Sequence, residues 1–197
     1  MSGPNGPLIV GMGGTPRPGS STERALALAL RQAAAGGART KLFGGEFLER
    51  LPHFNPGPQG PSPEQAELAA AIHDADGIIL ATPGYHGSLS GVVKNALDTL
   101  ELTRNDERPY FEGKPVGIII TADGAQAGGT TLMAVRSIIH AMRGWPTPYG
   151  AALNAANLFD PVGECREAKD AWQITTVADQ VMEFAQMRRA QILKASS

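Results

Sequence analysis

Three glycine-rich segments hold the residues of this chain whose types and spacing could do chemistry. The first, Gly13-Gly14-Thr15-Pro16-Arg17-Pro18-Gly19-Ser20-Ser21-Thr22, brings four hydroxyls and one guanidinium together just ahead of a segment with helical period. Amides at a helix start and the helix macrodipole attract an anion, short hydroxyl side chains add hydrogen bonds, and an arginine adds fixed charge. Thr15, Arg17, Ser20, Ser21 and Thr22 are therefore candidates to hold a phosphate. The segment has neither the Lys-Ser/Thr ending of a Walker loop nor a G-x-G-x-x-G, so it points to neither ATP nor a dinucleotide held as in a Rossmann enzyme. Ser20 followed by Glu23 also fits a plain helix cap. The glycines, Arg17 and the hydroxyls taken together favour the phosphate.

The second segment runs from Ala81 to Asp98 and places Tyr85 and His86 among glycines at 84, 87 and 91. Glycines remove the Cβ atoms that would keep a flat ring away, and exposed amides can bond the carbonyls on its edge. Pro83, Gly84, Tyr85, His86, Gly87 and Ser88 are the candidates here, against ordinary packing for Tyr85 and a surface or capping role for His86. Asn95 and Asp98 are i, i+3 neighbours placed to brace this loop. The third segment, Thr121 to Thr131, is again glycine-rich and offers Asp123 and Gly124. One glycine loop is weak support, because turns need glycine; three at one edge of a sheet ask for a shared ligand with a phosphate and a flat ring. No nucleophile or acid–base pair stands out in the loops, so no residue is nominated for catalysis; His86 is a candidate hydrogen-bond donor only.

Something must bring these segments together. Short apolar runs at Leu8–Val10, Thr40–Phe43, Gly77–Ala81 and Val116–Thr121 read as buried strands, with a further strand around Pro148–Leu153. Between and after them, Ala25/Leu28/Ala29, Val93/Ala96/Leu97/Leu100, Leu132/Val135/Ile139/Met142 and Ile174/Val177/Val181/Phe184 have helical spacing. Strand-then-helix repetition implies an α/β fold, a doubly wound parallel sheet flanked by helices, with ligands bound beyond the carboxyl ends of the strands. The proline-rich stretch Pro52–Pro63 reads as a long irregular connection.

The chain has 197 residues, 42% hydrophobic and 18% charged, which suits one domain over residues 1–197 and excludes a coiled coil. A net charge of -2 gives no electrostatic footprint for nucleic acid or an anionic membrane surface. The single cysteine, Cys165, cannot form an internal disulfide, and no Cys or His spacing suggests a metal site. The N-terminus lacks the pattern of a signal peptide, no apolar run approaches the ~18 residues of a membrane span, and the expected compartment is the cytoplasm.

These residues resemble the NADPH-dependent FMN reductase family of flavodoxin-like flavoproteins, particularly its azoreductase-like members. The resemblance spans roughly residues 7 to 145. It rests on Gly14-Thr15-Pro16-Arg17 with Thr22, and above all on Thr82-Pro83-Gly84-Tyr85-His86-Gly87-Ser88-Leu89-Ser90-Gly91 running into Lys94-Asn95-Ala96-Leu97-Asp98. Phe111-Glu112-Gly113-Lys114-Pro115-Val116, Gly128-Gly129 and Met142-Arg143-Gly144 fit the same pattern.

The resemblance implies a five-stranded parallel sheet of flavodoxin order 2-1-3-4-5. It also implies noncovalent FMN, NADPH or NADH as donor, and a homodimer or homotetramer with flavin at subunit interfaces. By position, Thr15, Arg17, Ser20, Ser21 and Thr22 would hold the phosphate, and Pro83 through Ser88 would line the isoalloxazine. The third loop matches less well, because members more often have glycine where this chain has Asp123, Ala125 and Ala127. An anion beside the flavin's pyrimidine edge would disfavour its anionic reduced form, so Asp123 is expected to point away or cap the helix.

The acceptor is left open between free flavin and a small molecule such as a quinone, azo compound or metal oxyanion. A non-catalytic electron carrier or redox sensor, or a fold-mate without cofactor, stays as the rival from another class. Arg104, Arg108 and Arg136 are the candidates for a 2′-phosphate contact, and the Pro52–Pro63 stretch and Tyr110–Phe111 for the acceptor pocket or a dimer interface.

Overall fold

The computed structural model describes residues 6–57 and 60–195. Strands β1 (Leu8–Gly13), β2 (Arg39–Phe43), β3 (Gly77–Tyr85), β5 (Pro115–Ala122) and β6 (Trp145–Asn154) are parallel in the order β2-β1-β3-β5-β6. A two-residue strand β4 (Ser88–Leu89) folds back antiparallel on the end of β3. With β4 set aside, this is the expected order 2-1-3-4-5, the fourth and fifth expected strands being β5 and β6.

Helices α1 (Ser21–Ala35), α2 (Gly45–Arg50), α3 (Pro63–Asp74), α4 (Gly91–Thr99), α5 (Ala125–Ala141) and α6 (Ala168–Ala195) connect and cover the strands. The short α2 and the two-residue β4 were not expected, because neither is long enough to carry a periodic signal. α3 starts where local chemistry demands: Ser62 and Gln65 form a reciprocal capping box, with Pro63 in the first turn.

Side chains alternate across the strands, so one sheet feeds two cores. Val10, Met12, Ile78, Leu80, Ile118 and Ile120 face the side that carries Leu68, Ile72, Val93, Leu97, Val135 and Ile139 from α3, α4 and α5. Ile9, Ile79 and Ile119 face Leu26, Leu30, Ile174, Val177 and Val181 from α1 and α6. A Cβ at Gly117 would lie 2.5 Å from a methyl of Val177, so glycine there lets α6 seat directly on β5. β6 lies at the sheet edge, where Pro146 and Pro148 are tolerated because proline cannot donate to a ladder. Parallel strands bring the loops after β1, β3, β5 and β6 to one edge of the sheet.

Candidate functional site

At that edge lies a cleft of about 770 Å³. Of the residues expected at a ligand site, Thr15, Arg17, Ser20, Ser21, Thr22, Pro83, Gly84, Tyr85, Asp123 and Gly124 line it. His86, Gly87 and Ser88 do not: they form the turn and return strand of the β3–β4 hairpin.

The first wall is the β1–α1 loop. Gly13 and Gly14 have φ of 149° and 120°. A Cβ on Gly13 would lie 1.9 Å from the Ala81 carbonyl oxygen, and the Gly14 N–H donates to that same oxygen at 3.3 Å. The loop is thereby drawn against β3. Thr15 Oγ1 donates to the Arg17 carbonyl at 3.3 Å. Ser20 is the N-cap of α1, its Oγ accepting the Glu23 N–H at 3.3 Å, while Glu23 Oε2 accepts the Gly19 N–H at 3.2 Å. The helix-cap reading of Ser20 is therefore correct, but the amides of Ser21 and Thr22 find no acceptor among the described residues. Ser21 Oγ donates to the Ala155 carbonyl at 3.1 Å, and the buried hydroxyls of Thr22 and Thr121 are 2.6 Å apart. The Arg17 guanidinium is exposed and forms no ion pair or hydrogen bond among the described residues.

The second wall is the end of β3. His86 and Gly87 have φ of 51° and 81°, the two-residue turn with both central residues left-handed that matches strand twist, and it pairs Gly84 with Leu89 and Tyr85 with Ser88. Thr82, fully buried, accepts the Ser90 N–H at 3.0 Å and ties down the base of the hairpin. A Cβ on Gly84 would lie 2.9 Å from Thr131 Oγ1, so a side chain there would press on α5. Tyr85 stands at the rim with 53% of its surface exposed.

The third wall is the β5–α5 loop. Asp123 lines the cleft and makes no capping bond, since the N-cap of α5 is Gly124 with no side chain to offer. The expectation that it caps the helix is thereby corrected. Arg17 and Asp123 are the two lining residues whose side chains are charged at neutral pH. Pro16, Thr121, Ala122, Ala127, Ala155 and Ala156 complete the lining and were not named as ligand contacts from the sequence. Thr121 ends an expected strand and Ala155 directly follows β6, so position at a strand's carboxyl end was the available signal.

Other expectations are redirected. Asn95 braces not the β3–α4 loop but the Pro52–Pro63 connection, and Asp98 pairs with Lys94 on the surface of α4 at 2.6 Å. Arg104 pairs with Glu101, Arg108 donates to the His73 carbonyl, and Arg136 donates to the carbonyls of Thr147 and Pro148. None of the three lines the cleft, nor do Tyr110, Phe111 or the described part of Pro52–Pro63. Among the described residues there is no group of three or more metal-ligating side chains.

The geometry is matched by three comparisons. The sequence model of the NADPH-dependent FMN reductase family fits residues 7–157. An FMN-dependent NADPH-azoreductase of Staphylococcus aureus is 42% identical over 74 residues, 38% of this chain and 36% of that protein, so the chain spans little more than a third of the length of this relative. In three dimensions the chain is similar to an NADH:FMN oxidoreductase (EMOB) in its apo form, with a TM-score of 0.69, 22% identity, and 92% and 89% of the two chains covered. It is equally similar to FerB, a flavoenzyme NAD(P)H:(acceptor) oxidoreductase from Paracoccus denitrificans, with a TM-score of 0.69 at 21% identity and coverage of 92% and 98%. These likenesses establish the flavodoxin-like fold. Because the family match takes in every strand that feeds the cleft and every loop that lines it, the chain belongs to the NADPH-dependent FMN reductase family.

Proposed function

We propose that this chain is a single-domain NAD(P)H-dependent FMN reductase that passes electrons to a small-molecule acceptor. The residues of the cleft fit FMN. Free amides at Ser21 and Thr22, hydroxyls at Ser20 and Thr22, and the unpaired Arg17 guanidinium are the donor set a phosphate requires, gathered at one end. Gly84 and the backbone around it leave room at the other end for a flat ring beside Tyr85, and about 770 Å³ lies within the range of small-molecule pockets.

In this reading Thr15, Arg17, Ser20, Ser21 and Thr22 hold and orient the phosphate end. Pro83, Gly84 and Tyr85 support the ring, Asp123 and Gly124 form the opposite wall, and the turn His86-Gly87-Ser88 keeps Gly84 and Tyr85 in register. Bound FMN would supply the redox chemistry, taking a hydride from NADPH or NADH and giving two electrons to the acceptor, whose protons come from water. The protein's part is anchoring and an open ring face, so the reading asks for no protein nucleophile or acid–base pair.

The single observation that carries this reading is the set of unsatisfied α1 amides on the same wall as Arg17, in a cleft whose lining continues to Gly84. As acceptor, an azo compound is favoured by the segment shared with the azoreductase; free flavin and quinones fit the same open face. We further infer a homodimer or homotetramer acting in the cytoplasm. No helix among the described residues is long and apolar enough to cross a membrane.

The test is an absorbance titration of the purified protein with FMN, followed by anaerobic NADPH or NADH. Saturable binding and bleaching of the flavin band are expected. Bound flavin that no nicotinamide bleaches would make the protein a carrier or sensor, and no binding would overturn the assignment of the cleft.

A further inference from the structure

We propose that Asp123 sets the charge class of the acceptor, so that the cleft favours cationic and neutral flat molecules and turns away anionic ones. The inference rests on the flavin-reductase reading above and adds to it the substrate chemistry.

The cleft has two charged side chains, Arg17 in the β1–α1 loop and Asp123 in the β5–α5 loop. They belong to different walls and are not paired with each other, nor is either paired elsewhere among the described residues. A phosphate at the α1 end would neutralise Arg17. What then faces an incoming second molecule is a carboxylate with no counter-charge, in a lining otherwise made of hydroxyls, alanines, prolines, glycines and one tyrosine. The neighbouring charges are turned to other tasks: Glu23 accepts from Gly19 behind the loop, and Arg24 reaches the Asp160 carbonyl. Asp123 is an exposed residue of the lining, so it is open to what enters the cleft.

The size of the effect follows from Coulomb's law. A unit charge held about 6 Å from a carboxylate, in surroundings of effective dielectric about 60, changes affinity roughly fivefold. A cation gains that factor and an anion loses it, so two acceptors of equal shape and opposite charge should differ by roughly twentyfold, less as salt rises.

A binding measurement with redox-inert probes tests this without turnover. N-methylquinolinium and 1-naphthalenesulfonate are both bicyclic aromatics, one cationic and one anionic. Their affinities for the FMN-loaded protein can be read from perturbation of the flavin spectrum. The parent should prefer the cation. In Asp123→Asn the cation-to-anion ratio should fall roughly twentyfold at low salt and lose its salt dependence, and Asp123→Glu should restore it. The ratio of kcat/KM for a cationic and an anionic acceptor should move in parallel. A ratio unchanged within twofold in Asp123→Asn, or a parent without preference, would overturn the proposal. Failure of the parent to bind FMN would instead refute the flavin reading itself, so the two outcomes are separable.

Discussion

Thr22 and Thr121, at the start of α1 and the end of β5, hold their buried hydroxyl oxygens 2.6 Å apart across 99 residues of sequence. Each is only 2% exposed, and each lines the cleft. A hydroxyl has one proton, so one of the pair donates to the other, and no further hydrogen-bond partner of either hydroxyl is found among the described residues. Thr121→Val leaves Thr22 without its partner and should lower stability by about 1–2 kcal/mol in urea unfolding, with FMN affinity falling severalfold. Thr121→Ser should recover most of both.

Asn95 is a clamp of a different kind. Its Oδ1 accepts the Phe54 N–H at 2.9 Å, and its Nδ2 donates to the carbonyls of Leu51 and Pro52 at 3.3 and 3.1 Å. Asn95→Ala should cost about 1–2 kcal/mol and make the Pro52–Pro63 connection cleavable by protease, because partly exposed bonds of this type contribute about half a kcal/mol or more each. FMN affinity should stay within twofold, since none of these residues lines the cleft.

Arg17→Ala should weaken FMN by about 1.5 kcal/mol, close to tenfold. That is the low end for a hydrogen bond to a charged group, because the guanidinium is solvent-exposed. Riboflavin, which lacks the phosphate, should be affected much less, and equal losses for both flavins would place Arg17 elsewhere.

His86 occupies the left-handed region with φ of 51°. His86→Asn should be nearly neutral in thermal unfolding, since asparagine tolerates that conformation. His86→Val should lose about 1–2 kcal/mol, since a β-branched residue there is strained. A large loss of turnover in His86→Asn with flavin still bound would instead restore a direct role for the imidazole.

Lys114 is 2% exposed, and its Nζ donates to the carbonyls of Ile72 and His73 at 2.8 and 3.0 Å, closing the C-terminal end of α3. Burial, and then the nearby Arg108, bring its pKa down from 10.5 to about 8, against the pull of Asp74 and Asp76. Between those two pH values the unfolded chain holds a proton that the folded chain has released, so this group makes stability rise with pH from about 8 to 10.5. Cys165, Tyr110 and Tyr149, whose pKa values are raised by folding, act in the opposite sense above their ordinary values. Subtracting the denaturation profile of Lys114→Met isolates the lysine: the parent should gain on the variant across that window, and parallel profiles would contradict it.

Much of this protein can be read from the residues in order. The apolar runs at Leu8, Gly77 and Val116 and the helical spacing around Ala25, Val93 and Ile174 are local patterns, and the handedness of βαβ crossovers converts them into a parallel sheet with its loops at one edge. The phosphate-like loop before α1 and the Pro83–Tyr85 wall were legible for the same reason, since glycines, hydroxyls and a guanidinium close in sequence stay close in space.

What only the tertiary structure decided is which of those residues face the same space. Tyr85 reaches the cleft while His86, its neighbour, does not, because His86 opens the two-residue turn that reverses the chain from β3 into β4. Ala155 and Ala156, which follow β6, join the same lining from outside the three glycine-rich segments. Gly45 also sits where a Cβ would lie 1.7 Å from the Thr15 carbonyl oxygen, so the phosphate-like loop rests on the first turn of α2, some thirty residues further on. Asn95 was read as a brace for the loop beside it and holds one more than forty residues away. Sequence spacing sets what neighbours along the chain can do together. Contacts across the sheet depend on strand order and on which side each residue faces, and those are settled only when the two cores pack.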